Sequence, residues 1–166
     1  MGGALYPVRA TGRTFLRAAG TLGWAFPSVL GAQLALTTTP ERRAIALIGD
    51  GGFGYHIGDL ETAVRLKLPA ICIVLNNASL AYEAIAFKYQ FDGDVVGEVC
   101  DFIDTDYSQI TRDFGCFGAR VDTIEGFRQA LDEALSRRKP AVLDVVVSNN
   151  RFAPVTTFDH WVKRDL

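Results

Sequence analysis

Three short stretches of this chain are apolar at nearly every position rather than at alternate ones: Ala44-Ile45-Ala46-Leu47-Ile48, Ala70-Ile71-Cys72-Ile73-Val74-Leu75, and Ala141 to Val147. A strand that is apolar on both faces must be covered on both, which is the condition of a central strand in a parallel sheet. Segments with helical spacing separate these runs. Within Ile57 to Lys67, Leu60, Ala63, Val64 and Leu66 form an apolar stripe opposite Asp59, Glu61, Arg65 and Lys67. Helical signals also cover Pro27 to Leu36, where the proline suits a first turn, Ala81 to Gln90, and Tyr107 to Phe114 ahead of Gly115. Ile124 to Arg138 carries basic residues in its last turn with Pro140 just beyond, and Ala119-Arg120-Val121 reads as a short strand. The alternation predicts an α/β fold, an open and mostly parallel sheet with helices on both faces.

Composition bounds the rest. The 166 residues, 49% hydrophobic and 22% charged, suit one compact domain, predicted over 1–150 with an irregular N-terminal lead-in and followed by a tail over 151–166. The polar, acidic stretch from Phe91 to Asp106 reads as a loop or mobile cover. A net charge of −2 provides no general attraction for nucleic acid or an anionic membrane, so an anionic ligand has to be held locally. Cys72, Cys100 and Cys116 are odd in number and lack CxxC spacing, which argues against a disulfide framework, a zinc knuckle or an iron-sulfur cluster. Met1 to Ala10 lacks the build of a signal peptide, and no run of about 18 apolar residues could span a bilayer. A cytoplasmic protein is the expectation.

In open parallel sheets, ligands bind outside the carboxyl ends of the strands. Gly49-Asp50-Gly51-Gly52 and Asn76-Asn77 fall at two such ends. An aspartate and an asparagine converging there offer the hard oxygen donors that magnesium or calcium requires. The flanking glycines let a diphosphate approach the backbone, and the following helix start adds N–H donors. Taken alone, Gly-Asp-Gly is also an ordinary strand-to-helix turn with Asp50 as its N-cap.

The combination is more specific. The spacing of Gly49-Asp50-Gly51-Gly52 from Leu75-Asn76-Asn77, with a strand-helix-strand between, resembles the cofactor motif of thiamine diphosphate enzymes. Upstream, Gly20-Thr21-Leu22-Gly23-Trp24-Ala25-Phe26-Pro27 resembles the glycine-rich segment of the same family. The likeness runs from about Thr14 to Val147 and is closest to the C-terminal, diphosphate-binding domain of the acetolactate synthase, benzaldehyde lyase and benzoylformate decarboxylase group, including Leu60-Glu61-Thr62-Ala63-Val64-Arg65.

The resemblance implies the thiamine diphosphate-binding fold, with thiamine diphosphate and Mg2+ as cofactors. It assigns Asp50, Asn77 and the Ser79 carbonyl to the metal, and Gly20, Thr21, Leu22, Gly49, Gly51, Gly52 and Leu80 to cofactor contacts. The Gly20 carbonyl would accept from the aminopyrimidine, and Leu22 would be the apolar wedge that bends the cofactor, unless it packs in the core. Gly52 stands where relatives often carry a serine, and Ala81 where they often carry a glycine. Glu83, six residues after Asn77, is the candidate general acid, against the alternative of an exposed helix glutamate. His56 either approaches the cofactor or caps a helix end, and His160 lies in the tail.

No segment resembles the pyrimidine-binding domain whose glutamate completes such sites. The implied function is therefore the magnesium- and diphosphate-binding half of a 2-oxoacid decarboxylase or carboligase, a lyase or transferase inactive as the isolated chain. A pyrimidine-binding domain or subunit would come from a homo- or hetero-oligomer or a missing segment. Two alternatives remain open, the small subunit of a split sulfopyruvate or phosphonopyruvate decarboxylase and a non-catalytic interaction domain. A generic dinucleotide or nucleotide site is disfavoured because no GxGxxG or Walker lysine follows the first strand.

Overall fold

A computed structural model of the chain describes residues 15–17, 20–90 and 97–148. The predicted tail, with His160, lies outside them, as do most of the N-terminal lead-in and the first residues of the expected cover. Four strands build the sheet: β1 (Ile45–Gly49), β2 (Ile71–Asn76), β3 (Phe117–Val121) and β4 (Ala141–Val146). They stand in the order β1-β2-β4-β3, and every neighbouring pair is parallel. The helices are α1 (Ala25–Ala35), α2 (Asp50–Gly54), α3 (Asp59–Arg65), α4 (Ala81–Gln90), α5 (Gly97–Cys100), α6 (Tyr107–Asp113) and α7 (Ile124–Arg137). The expected α/β fold is thus present, with element boundaries moved by a few residues.

Alternation along each strand sorts the core into two layers. Ala46, Ile48, Cys72, Val74 and Val142 face one side, where they pack with Phe26, Val29 and Leu30 of α1, Phe53 of α2, Leu60 and Ala63 of α3, and Tyr107 of α6. Phe53 is fully buried and meets Phe26 and Tyr107 edge-on at 4.9 and 5.5 Å between ring centres, so one side chain ties α1, α2 and α6 together. Buried Gln33 adds a polar lock, its Oε1 accepting from the Ala44 amide at 2.9 Å where the chain enters β1. On the other side, Ile71, Ala141 and Leu143 pack against Ala130 and Ala134 of α7. Thr123 caps α7 by accepting from the Gly126 amide, and Asp106 caps α6 by accepting from Gln109.

One expectation needs correcting. β1 reads as a central strand, yet it is an edge strand. The side chains of Ile45 and Leu47 are 49% and 51% exposed, because α7 covers only the β3–β4 half of the second face. The described helices leave Ile45 and Leu47 half exposed on the β1 half of that face.

Candidate functional site

Three segments meet around the carboxyl ends of β1 and β2. Asp50 follows directly on β1 as the first residue of α2, with Gly49 at the N-cap position, so Asp50 is not itself the cap. Its carboxylate is almost completely buried. One oxygen accepts from the Gly51 amide at 2.9 Å and the other reaches across to the Ser79 amide at 3.3 Å, beyond the end of β2. Burial pushes the Asp50 carboxyl above the ordinary carboxylate range, opposed by the amides of Gly51, Ser79, Ala78 and Asn77. Among the described residues, no cation pairs with it.

The second segment is the turn after β2. Asn76 ends the strand, and its side-chain oxygen accepts from the Ala78 amide at 3.1 Å. Ala78 takes a left-handed conformation, φ 53°, which costs a non-glycine residue energy and therefore needs such support. From outside, the Phe102 amide donates to the Ala78 carbonyl at 2.7 Å and the Leu80 amide to the Cys100 carbonyl at 2.8 Å. These bonds flank a bridge between Ser79 and Asp101, and the Ser79 amide on the opposite edge meets Asp50. Asn77 is half-buried in the same turn.

The third segment is the glycine-rich turn before α1. Gly20 and Gly23 have φ of 99° and 87°, open only to glycine without strain. A methyl group on Gly52 would lie 3.4 Å from the Gly23 amide nitrogen, so the two turns touch through their backbones. Leu22 is about half exposed on this turn, which argues against its being core packing. His56 lies against Gly23, where a Cβ would come 2.9 Å from its ring, and stands 3.7 Å from Asp59 at the start of α3. Leu80 and Phe102 fill the space beside Gly51, where a Cβ would come 2.7 Å from Leu80 Cδ2.

The structure brings Gly49, Asp50, Gly51, Gly52, Asn77, Ser79 and Leu80 together at the strand ends, and Gly20, Thr21 and Leu22 belong to the turn that reaches Gly52 through Gly23. Glu83 is exposed on the first turn of α4, and with Asp101 its charge adds to burial in raising the Cys100 thiol. All three cysteines are buried free thiols. Burial raises that of Cys116 to about 11, so it is not a poised nucleophile. Among the described residues, no helix is long and apolar enough to cross a membrane.

The sequence reading passed over Asn76 and Asp144 as site components. Asp144 of β4 is wholly buried, accepting from Asn76 Nδ2 at 2.9 Å and from the Tyr107 amide at 3.1 Å. A charged residue within an otherwise apolar strand is the signal that could have found it.

A buried carboxylate without a counter-charge, beside a turn that supplies an asparagine and a carbonyl, fits a hard divalent cation. Glycines at 49, 51 and 52 keep side chains off the backbone beside it, which is compatible with a diphosphate held by backbone amides. Residues 1–145 match the family described as thiamine pyrophosphate enzyme, C-terminal TPP binding domain, and the chain belongs to that family. It is 34% identical over 127 residues to an acetolactate synthase of Bacillus subtilis, covering 76% of this chain and 21% of that one. It is likewise 34% identical over 143 residues to a benzoylformate decarboxylase of Pseudomonas aeruginosa, covering 83% of this chain and 25% of that one. Among solved structures, a thiamine diphosphate-dependent 4-hydroxybenzoylformate decarboxylase of Rhodococcus jostii superposes with a TM-score of 0.67 at 33% identity, covering 79% of this chain and 24% of that one. The chain thus spans between a fifth and a quarter of the length of these relatives.

Proposed function

We propose that this chain binds magnesium and the diphosphate of thiamine diphosphate, as one half of the active site of a 2-oxoacid decarboxylase or carboligase. The observation that carries the reading is the buried Asp50 carboxylate, with no cationic side chain paired to it among the described residues, facing the Asn77–Ser79 turn across the strand ends. Asp50, the Asn77 side chain and the Ser79 carbonyl would hold the metal. Gly49, Gly51 and Gly52 would admit the diphosphate to the backbone. Thr21 and Leu80 would line the cofactor, with the exposed Leu22 against its middle and the Gly20 carbonyl accepting from its aminopyrimidine. When bound, the cofactor supplies the electron sink for loss of carbon dioxide from a 2-oxoacid. Glu83, exposed at the start of α4, would deliver a proton from its carboxyl to the substrate carbon.

The other half, a pyrimidine-binding domain, would come from a partner chain or a further segment. The short span relative to relatives supports this, as does the half-exposed apolar face that Ile45 and Leu47 present among the described residues. We assign the assembled protein to the cytoplasm.

Titration calorimetry of the chain with thiamine diphosphate, with magnesium and with chelator, tests the reading. Binding that needs magnesium and disappears in Asp50→Ala is the expected result. Equal binding in chelator, or unchanged binding by Asp50→Ala, overturns it. So does absence of binding both alone and with the pyrimidine-binding domain of a relative added.

A further inference from the structure

We propose that Asp144 is a positioning residue for the metal-binding turn, acting by fixing which way the Asn76 side-chain amide faces. The proposal rests on the reading of Asn77 to Ser79 as a ligand turn. The Asn76 amide is asymmetric, one end a donor of two hydrogens and the other an acceptor. Its NH2 donates to Asp144 Oδ1 at 2.9 Å and to the Thr105 carbonyl at 3.0 Å, which leaves the oxygen directed at the Ala78 amide. A carboxylate offers no donor, so an unprotonated Asp144 accepts only the NH2 end of Asn76 and excludes the rotated amide.

Asp144 is itself locked. Its second oxygen accepts from the Tyr107 amide at the start of α6, and Arg120 Nη1 of β3 stands 3.6 Å away. Arg120 also donates to the Thr105 carbonyl at 3.0 Å, so the loop before α6 closes over the pair. The ligand turn is thereby held from two sides, by Asp50 at Ser79 and by the Asp144–Asn76 relay at Ala78. The left-handed φ of Ala78, 53°, is the strain that the relay sustains.

Replacing Asp144 by asparagine keeps size and removes only the exclusion. With its oxygen retained on the Tyr107 amide, the new side chain presents NH2 to Asn76. Asn76 then rotates to accept, turning its own NH2 toward the Ala78 N–H and giving up its bonds to that amide and to the Thr105 carbonyl. The exchanged pair, Asn76→Asp with Asp144→Asn, restores the acceptor for the Ala78 amide and the bond between the two side chains, leaving the Thr105 carbonyl to Arg120 alone.

Amide hydrogen exchange by NMR on the 166-residue chain without ligands tests this independently of cofactor binding. In Asp144→Asn, exchange at Ala78 should accelerate about tenfold, the loss of one hydrogen bond, while Ala46 and Cys72 in the core keep their rates. The double variant should return Ala78 to within about threefold of the parent. Unchanged exchange at Ala78 in the single variant, or failure of the double variant to restore it, overturns the proposal. If the single variant does not fold, the double variant decides: a folded chain with a protected Ala78 supports the relay, and an unfolded or unprotected one overturns it. Failure of the calorimetric titration with this relay intact would discard the cofactor reading instead.

Discussion

Two buried aspartates stand at the carboxyl end of this sheet, and they are solvated in opposite ways. Asp144 is surrounded by complete partners, the Asn76 amide, the Tyr107 N–H and the nearby Arg120 guanidinium. Asp50 is almost as buried but has only backbone amides, with no cation among the described residues. A charge whose compensation is built in organises structure. One whose compensation is left out is a place for something that arrives with positive charge.

The comparison can be broken by experiment. Asp144→Ala leaves Asn76, Tyr107 and Arg120 without their shared acceptor and should cost about 3 kcal/mol in urea unfolding. An unchanged midpoint would show that the Asp144 corner is not what holds the strand ends. Gly118→Ala attacks the same corner from β3, since a Cβ there would collide with the Ser108 carbonyl of α6. Thermal unfolding should report a loss of about 2 kcal/mol.

The Asp50 corner should respond with the other sign. Asp50→Asn removes a buried charge but turns an NH2 on the Gly51 or Ser79 N–H; the first effect should prevail near neutral pH and stabilise the ligand-free chain by up to about 1 kcal/mol, while magnesium-dependent cofactor binding is abolished. The pH dependence follows from the raised carboxyl. A group that holds its proton more tightly folded than unfolded favours the folded state below its unfolded value, about pH 4, and loses that contribution as pH rises through the higher folded value. The advantage of Asp50→Asn should therefore vanish near pH 4 and grow toward neutrality, read as urea midpoints across the series. A constant advantage would place its origin outside ionisation. The smallest effect belongs to Ala78→Gly, which relieves a left-handed alanine and should alter stability by less than about 1 kcal/mol. A large change there would mean that the methyl group, rather than the backbone path, matters.

Much of the candidate corner was legible in the chain itself. Glycines on both sides of Asp50, and Asn77 after the next apolar run, mark strand ends because only turn-forming residues interrupt buried strands so abruptly. The partnership of Asn76 with Asp144 was not legible. The two lie 68 residues apart, and they meet only because β4 inserts between β2 and β3. The place of β1 was misread for a related reason. Its apolar residues on both faces record what those faces prefer to touch, not whether this chain supplies it.

By itself, the sequence determined the α/β alternation, the family and the residues that end β1 and β2, because periodicity and turn chemistry act over a few neighbouring residues. Strand order, the half-exposed stretch of the second face among the described residues, and which buried aspartate is complete and which is not emerge on folding. Those outcomes depend on contacts between residues far apart in the chain. Burial and counter-charge are properties of a place, and a place exists only after folding.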